Sequence, residues 1–196
     1  MNTLPRLWLV RHGETEWSRI GRYTGLTDLP LTPEGEAQAT EVGRKLAAVR
    51  DAGVDFGLVL TSPMLRARRT AELAGFRDAE EVPWAHEWDY GDYEGVNSAD
   101  VRARQPGYLI WDDGVPGGET LDQVGARADS VIDRVRTELA HGGDALLFSH
   151  GHFSRVLTAR WLDLGPDQGR HFVLGTSQLC RLGWDKRTPA VEAWGI

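Results

Sequence analysis

The chain has 196 residues, 41% hydrophobic and 26% charged, which fits one globular domain over residues 1–196 with a sizeable core. Its formal net charge of -7 argues against a nucleic-acid binder, which needs a broad basic face. One cysteine, Cys180, excludes an intrachain disulfide and a cysteine-rich metal site; with no signal-like or membrane-spanning apolar run, the expectation is a cytoplasmic enzyme with no membrane partner.

Leu7 to Val10 reads as a short buried strand that runs directly into Arg11-His12-Gly13-Glu14. Thr32, Pro33, Glu34 and Glu36 then mark a helix start, and Val42, Leu46 and Val49 carry its apolar stripe. Leu58 to Leu60 is a second strand. Thr61-Ser62-Pro63 predicts a capped helix start, with the helix continuing to about Leu73. A weaker strand is expected near Glu81 to Trp84. Trp88 to Gly118 is rich in Gly, Asp, Tyr and Trp and predicts loops with one or two short helices, such as Ser98 to Arg104. Gly118-Glu119-Thr120 opens a long amphipathic helix to about Leu139. Ala145 to Phe148 is a third apolar strand, ending in Ser149-His150-Gly151-His152, and a helix from Phe153 to Leu162 follows. The remaining residues predict a hairpin that turns near Asp185-Lys186.

Alternating strands and helices imply a three-layer α/β/α sandwich around a mostly parallel sheet. Sites in such sheets form at the carboxyl ends of the strands. Three strands end in polar clusters here: Arg11-His12, Thr61-Ser62 with Arg66 beyond, and Ser149-His150. If these ends are neighbours, Arg11, Arg66, His12 and His150 make a cationic pocket suited to a small oxyanion, most simply a phosphoryl group. Neighbouring guanidiniums keep a histidine neutral and therefore nucleophilic. Two arginines in this role need no metal. Ligation by His150 and His152 with His12 and Glu14 is disfavoured because Arg11 and Arg66 repel a cation. Arg68 and Arg69 read as surface residues. Trp88, Tyr90, Tyr93, Tyr108 and Trp111 are candidates for an aromatic wall. Gly13 is expected to let backbone and substrate approach closely. His86, His141 and His171 receive no role.

Arg11-His12-Gly13-Glu14-Thr15, Ser62-Pro63 leading to Arg66, and Ser149-His150-Gly151, in this order across nearly the whole chain, resemble the histidine phosphatase superfamily, also called phosphoglycerate mutase-like. The resemblance implies that fold and a phosphohistidine mechanism without cofactor. His12 would be the nucleophile, with Arg11, Arg66 and His150 holding phosphate beside Gly151. Glu87 would be the proton donor, with Glu94 as its rival. Ser18, Thr24 and Tyr90 would contact substrate. The cations oppose protonation of Glu87 and a bound dianion favours it, so hydrolysis is expected to be fastest on the acidic side of neutral.

The segment Gly91 to Gly118 is short and acidic where mutase members carry clustered basic residues, which favours hydrolysis. Glu87 to Gly95 and Ser149 to Arg155 are similar to a phosphatase branch that contains sedoheptulose bisphosphatase and bacterial acid phosphatases. The implied function is hydrolysis of sugar phosphates or a broad set of small phosphate esters. A cofactor-dependent phosphoglycerate mutase and a non-catalytic phosphate-binding module are the alternatives. The partner is a small phosphorylated substrate, and a homodimer is left open.

Overall fold

A computed structural model describes residues 4–196. Six strands form one sheet: β1 (Arg6–Arg11), β2 (Phe56–Thr61), β3 (Glu80–Glu81), β4 (Asp144–Ser149), β5 (Leu179–Asp185) and β6 (Thr188–Ala193). Their order is β3-β2-β4-β1-β5-β6. The first four strands are parallel, and β5 and β6 complete one side as an antiparallel hairpin.

The helices are α1 (Glu16–Arg19), α2 (Pro33–Asp51), α3 (Leu65–Leu73), α4 (Ser98–Arg104), α5 (Ile110–Asp113), α6 (Leu121–Glu138) and α7 (Gly151–Trp161). Alternation along the central strands explains the three layers. Trp8, Val10, Leu146 and Phe148 pack with Val42 and Leu46 of α2 and Ala71 of α3. Leu7, Leu9, Ala145 and Leu147 face the other way, toward Val124, Val131 and Val135 of α6 and Val156 and Leu157 of α7. Strands buried on both faces read as unbroken apolar runs, as β1 and β4 do.

The register sets the site. Arg11 pairs with Ser149 at the ends of β1 and β4, and Thr61 pairs with Phe148 at the end of β2. The three polar strand ends therefore lie side by side.

Several element boundaries differ from expectation. α3 begins at Leu65, two residues after Pro63, and its cap residue Met64 has no side-chain cap bond. Instead, Asp28 Oδ1 accepts from the Leu65 N–H at 2.7 Å, so a distant loop caps this helix. The expected strand at Glu81 to Trp84 is only Glu80–Glu81, because Pro83–Ala85 turns into a 3-10 helix. α7 starts at Gly151, directly after the strand-end histidine. The hairpin turns where expected, with Lys186 at φ 58°.

Candidate active site

His12 continues the β1 ladder, its N–H donating to the Ser149 carbonyl at 2.9 Å. Its ring is buried, with Nδ1 2.7 Å from the Gly13 carbonyl. A carbonyl only accepts, so Nδ1 carries the proton and Nε2 keeps its lone pair. Burial, then the Arg66 and Arg11 cations, hold His12 well below the usual histidine range. The imidazole is neutral near pH 7.

The close backbone approach expected at Gly13 is made by α2: a Cβ there would lie 2.3 Å from the Gly35 carbonyl oxygen. The Gly13 N–H donates to Thr70 Oγ1 at 3.0 Å, tying the histidine turn to α3.

His150 packs near His12, with ring centroids 5.3 Å apart. It is fully buried, and burial followed by the Arg66 cation lowers its pKa well below the usual value. Its Nε2 lies 2.7 Å from Ser62 Oγ, and its Nδ1 is buried without a partner. Arg11 donates from Nη1 to the Leu174 carbonyl at 2.5 Å. A Cβ on Gly151 would stand 3.2 Å from the Arg11 guanidinium carbon, so this glycine leaves room for Arg11 at the head of α7.

Arg66 is fully buried, but its fork is not presented as the sequence suggested. Nη1 donates to the Thr27 carbonyl at 3.0 Å, and Nη2 to the Gly25 and Thr24 carbonyls at 2.8 and 3.2 Å. Only Nε is unpartnered.

The two candidate acids separate clearly. Glu87 is buried and lines a cavity of about 320 Å³ together with His12 and Arg11. Its Oε1 accepts from the N–H groups of Trp88 and Phe153 at 3.0 and 2.7 Å, and Oε2 from that of His152 at 3.0 Å. Glu94 is not on that lining. It accepts from the Gly25 and Thr27 N–H groups instead, bracing the loop whose carbonyls Arg66 holds.

Ser18, Thr24, Tyr90 and Gly151 all line the same cavity, whereas Arg66 and His150 do not. The Ser18 hydroxyl is already engaged in a reciprocal cap with Thr15. The Tyr90 phenol lies 2.7 Å from His152 Nδ1. Burial, then the Glu87 carboxylate, pushes Tyr90 well above its usual range, so it stays protonated and donates to that nitrogen. Of the expected aromatic wall, Tyr90, Tyr108 and Trp111 line the cavity, while Trp88 and Tyr93 do not.

Sequence reasoning missed Tyr23, Arg22, Arg102, Arg155 and the contact role of His152. Two of these had a periodic signal. Arg102 follows cavity-lining Ser98 by four residues on α4, and Arg155 follows Gly151 by four on α7. Among the described residues, no cluster of three His, Cys, Asp or Glu fit for a metal ion is found.

The family model described as histidine phosphatase superfamily (branch 1) matches residues 7–196. The chain belongs to this superfamily. Over 97% of its length it is 40% identical to an acid phosphatase of Mycobacterium tuberculosis, covering 92% of that protein. It is 37% identical to sedoheptulose 1,7-bisphosphatase of Saccharomyces cerevisiae, over 82% of this chain and 69% of the yeast protein. Relatives also include a 2,3-bisphosphoglycerate-dependent phosphoglycerate mutase of Bradyrhizobium diazoefficiens, 34% identical over 91% of this chain and 92% of that protein. A solved open-reading-frame product of M. tuberculosis superposes with a TM-score of 0.92 at 38% identity, covering 97% of each chain. The three-layer sandwich is thus the fold of this superfamily. No helix among the described residues is long and apolar enough to cross a membrane.

Proposed function

We propose that the protein hydrolyses small phosphate monoesters, sugar phosphates among them, through a phosphohistidine on His12. The observation that carries this reading is a buried neutral imidazole with a free Nε2, beside Arg11, on one cavity with the buried carboxyl of Glu87. The kinship with proteins named acid phosphatase and sedoheptulose 1,7-bisphosphatase supports it.

In the first step His12 Nε2 attacks phosphorus in line. The P–O ester bond breaks, and a protonated Glu87 gives its proton to the leaving alkoxide. In the second step water attacks the phosphohistidine, its proton passes to the Glu87 carboxylate, and inorganic phosphate leaves with His12 restored. Arg11 holds the phosphoryl oxygens where transition-state charge accumulates. Ser62 Oγ accepts from the Met64 N–H, which leaves its own proton for His150 Nε2. That arrangement keeps the proton on His150 Nδ1, free to donate to an equatorial oxygen. Arg66 acts through the field it places on both histidines and through Nε. Ser18, Thr24 and Tyr90 contact the ester, and the protein works as a monomer or homodimer in the cytoplasm.

Phosphoglycerate mutase is the second reading, favoured by the relatives of that name. The test is release of phosphate from p-nitrophenyl phosphate in EDTA, with acid-quench trapping of labelled enzyme. His12→Ala should lower kcat/KM by about 10³-fold or more and abolish the label. Unchanged turnover in His12→Ala removes the phosphohistidine. Interconversion of phosphoglycerates outpacing phosphate release, with 2,3-bisphosphoglycerate present, makes the protein a mutase.

A further inference from the structure

Glu87 stands on a segment that no helix or strand holds. β3 ends at Glu81, the 3-10 turn Pro83–Ala85 follows, and Glu87 lies between it and the next 3-10 turn, Gly91–Tyr93. The carboxyl itself is fixed by the N–H groups of Trp88, His152 and Phe153. The main chain that carries it is fixed by two residues outside the cavity lining, Glu119 and Arg127.

Arg127 lies on α6 and engages all five of its N–H groups in one place. Nη1 donates to the Trp84 and His86 carbonyls at 2.7 and 2.9 Å, and Nη2 reaches the Glu87 carbonyl at 3.4 Å. Nε and Nη2 grip the two oxygens of Glu119, each at 2.7 Å. Glu119 Oε2 in turn accepts from the Asp89 N–H at 3.0 Å, and the Glu119 N–H donates to the Asp89 carbonyl at 3.0 Å. The Glu119 carbonyl accepts from Trp88 Nε1 at 2.8 Å. The pair therefore holds main chain on both sides of Glu87. The Arg127 guanidinium also lies 5.0 Å from the centroid of the Phe153 ring, and Phe153 is one of the residues whose N–H holds the carboxyl.

Glu119 is not needed to start α6, because Thr120 and Gln123 form the capping box of that helix. The Arg127 and Glu119 side chains are 14% and 18% exposed, and no other ion pair among the described residues has both partners so enclosed. A buried ion pair gains little stability over apolar side chains of the same volume. What this one supplies is geometry, since a fork locked on a carboxylate fixes three carbonyls at once.

We infer that Glu119 and Arg127 are positioning residues that hold the Glu87 carboxyl at proton-transfer distance from the leaving oxygen. They touch no substrate and act through the loop. The inference rests on the reading of Glu87 as proton donor.

Proton donation matters most where the alcohol leaves badly. The test measures kcat/KM, which covers the first step, for p-nitrophenyl, phenyl and butyl phosphate, whose leaving groups are progressively more basic. In Arg127→Met and Glu119→Gln the loss should be about threefold or less on p-nitrophenyl phosphate and about 30-fold or more on butyl phosphate, with phenyl phosphate between. The ratio between esters does not depend on how much of a variant is folded, so a destabilised variant still reports it. Glu119→Gln gives the same reading if Arg127→Met fails to fold. Arg127→Lys keeps the charge without the fork and should recover only part of the loss. Equal losses on the three esters in Arg127→Met and Glu119→Gln, or none, beside a leaving-group-dependent loss in Glu87→Gln, overturn the positioning role and leave the donor in place. A uniform loss in Glu87→Gln overturns the donor reading, and the positioning role with it.

Discussion

Glu94→Gln separates the two acids of the middle segment. Gly25 N–H donates to Glu94 Oε2 and Oε1 at 2.9 and 3.0 Å, and Thr27 N–H donates to Oε1 at 3.1 Å. Glutamine keeps one carbonyl oxygen and turns an NH2 toward a backbone donor. One charge-assisted bond is lost, a change of roughly 1.5–3 kcal/mol for a buried group. Water reaches this half-buried site and offsets part of that, which leaves about 2 kcal/mol. For a chain of this length the midpoint should fall by about 4–8 °C. The assay is thermal unfolding followed by circular dichroism, paired with a pH–rate profile on p-nitrophenyl phosphate. The profile should keep its shape, because Glu94 braces the Thr24–Thr27 loop and is absent from the cavity lining. A wild-type midpoint combined with lost turnover and a missing alkaline fall-off would refute this reasoning and make Glu94 the proton donor.

Three further outcomes follow from the geometry. The pKa of His152 is lowered from 6.5 to about 4 by burial, with Arg155 and Arg11 assisting and Glu87 opposing. The unfolded chain therefore binds this proton first, so stability falls as pH drops from about 6.5 through about 4. Thermal midpoints of His152→Gln should fall less steeply across that window, and parallel slopes would exclude the linkage. Gly13→Ala drives a Cβ to 2.3 Å from the Gly35 carbonyl oxygen, a backbone atom that cannot rotate away. A loss of about 3 kcal/mol or more is expected by urea unfolding, and near-wild-type stability would show that α2 can shift. Asp28→Ala removes the acceptor for the Leu65 N–H and should cost about 1 kcal/mol, or about 2–4 °C; an unchanged midpoint would show that water replaces the cap.

The strand ends were legible because parallel strands buried on both faces leave an unbroken apolar run, and the polar residues after it must lie at the sheet edge. Arg11, His12 and His150 each follow such a run directly. Glu87 came from motif resemblance, since a loop has no period to read. Sequence reasoning failed where partners are distant in the chain. The Ser62-Pro63 start looked self-capping, yet Asp28 supplies the cap. At Gly13 a close backbone approach was legible, but not that Gly35 of α2 makes it.

Arg66 shows why such failures gather at one loop. Thr24 to Thr27 turns its carbonyls to Arg66 and two of its N–H groups to Glu94, while Asp28, the next residue, caps the helix that carries Arg66. These contacts span separations of 37 to 69 residues. A polar loop answered on both its donor and acceptor sides satisfies buried backbone groups and fixes a buried cation at once. The same loop brings Thr24 to the cavity and continues from Arg22 at its mouth. Displacing it should therefore disturb the field on His12 and the Thr24 side of the cavity together, so loop variants should lower kcat and raise KM in parallel. A loop variant that changed one without the other would show that the two ends of the cavity are held independently.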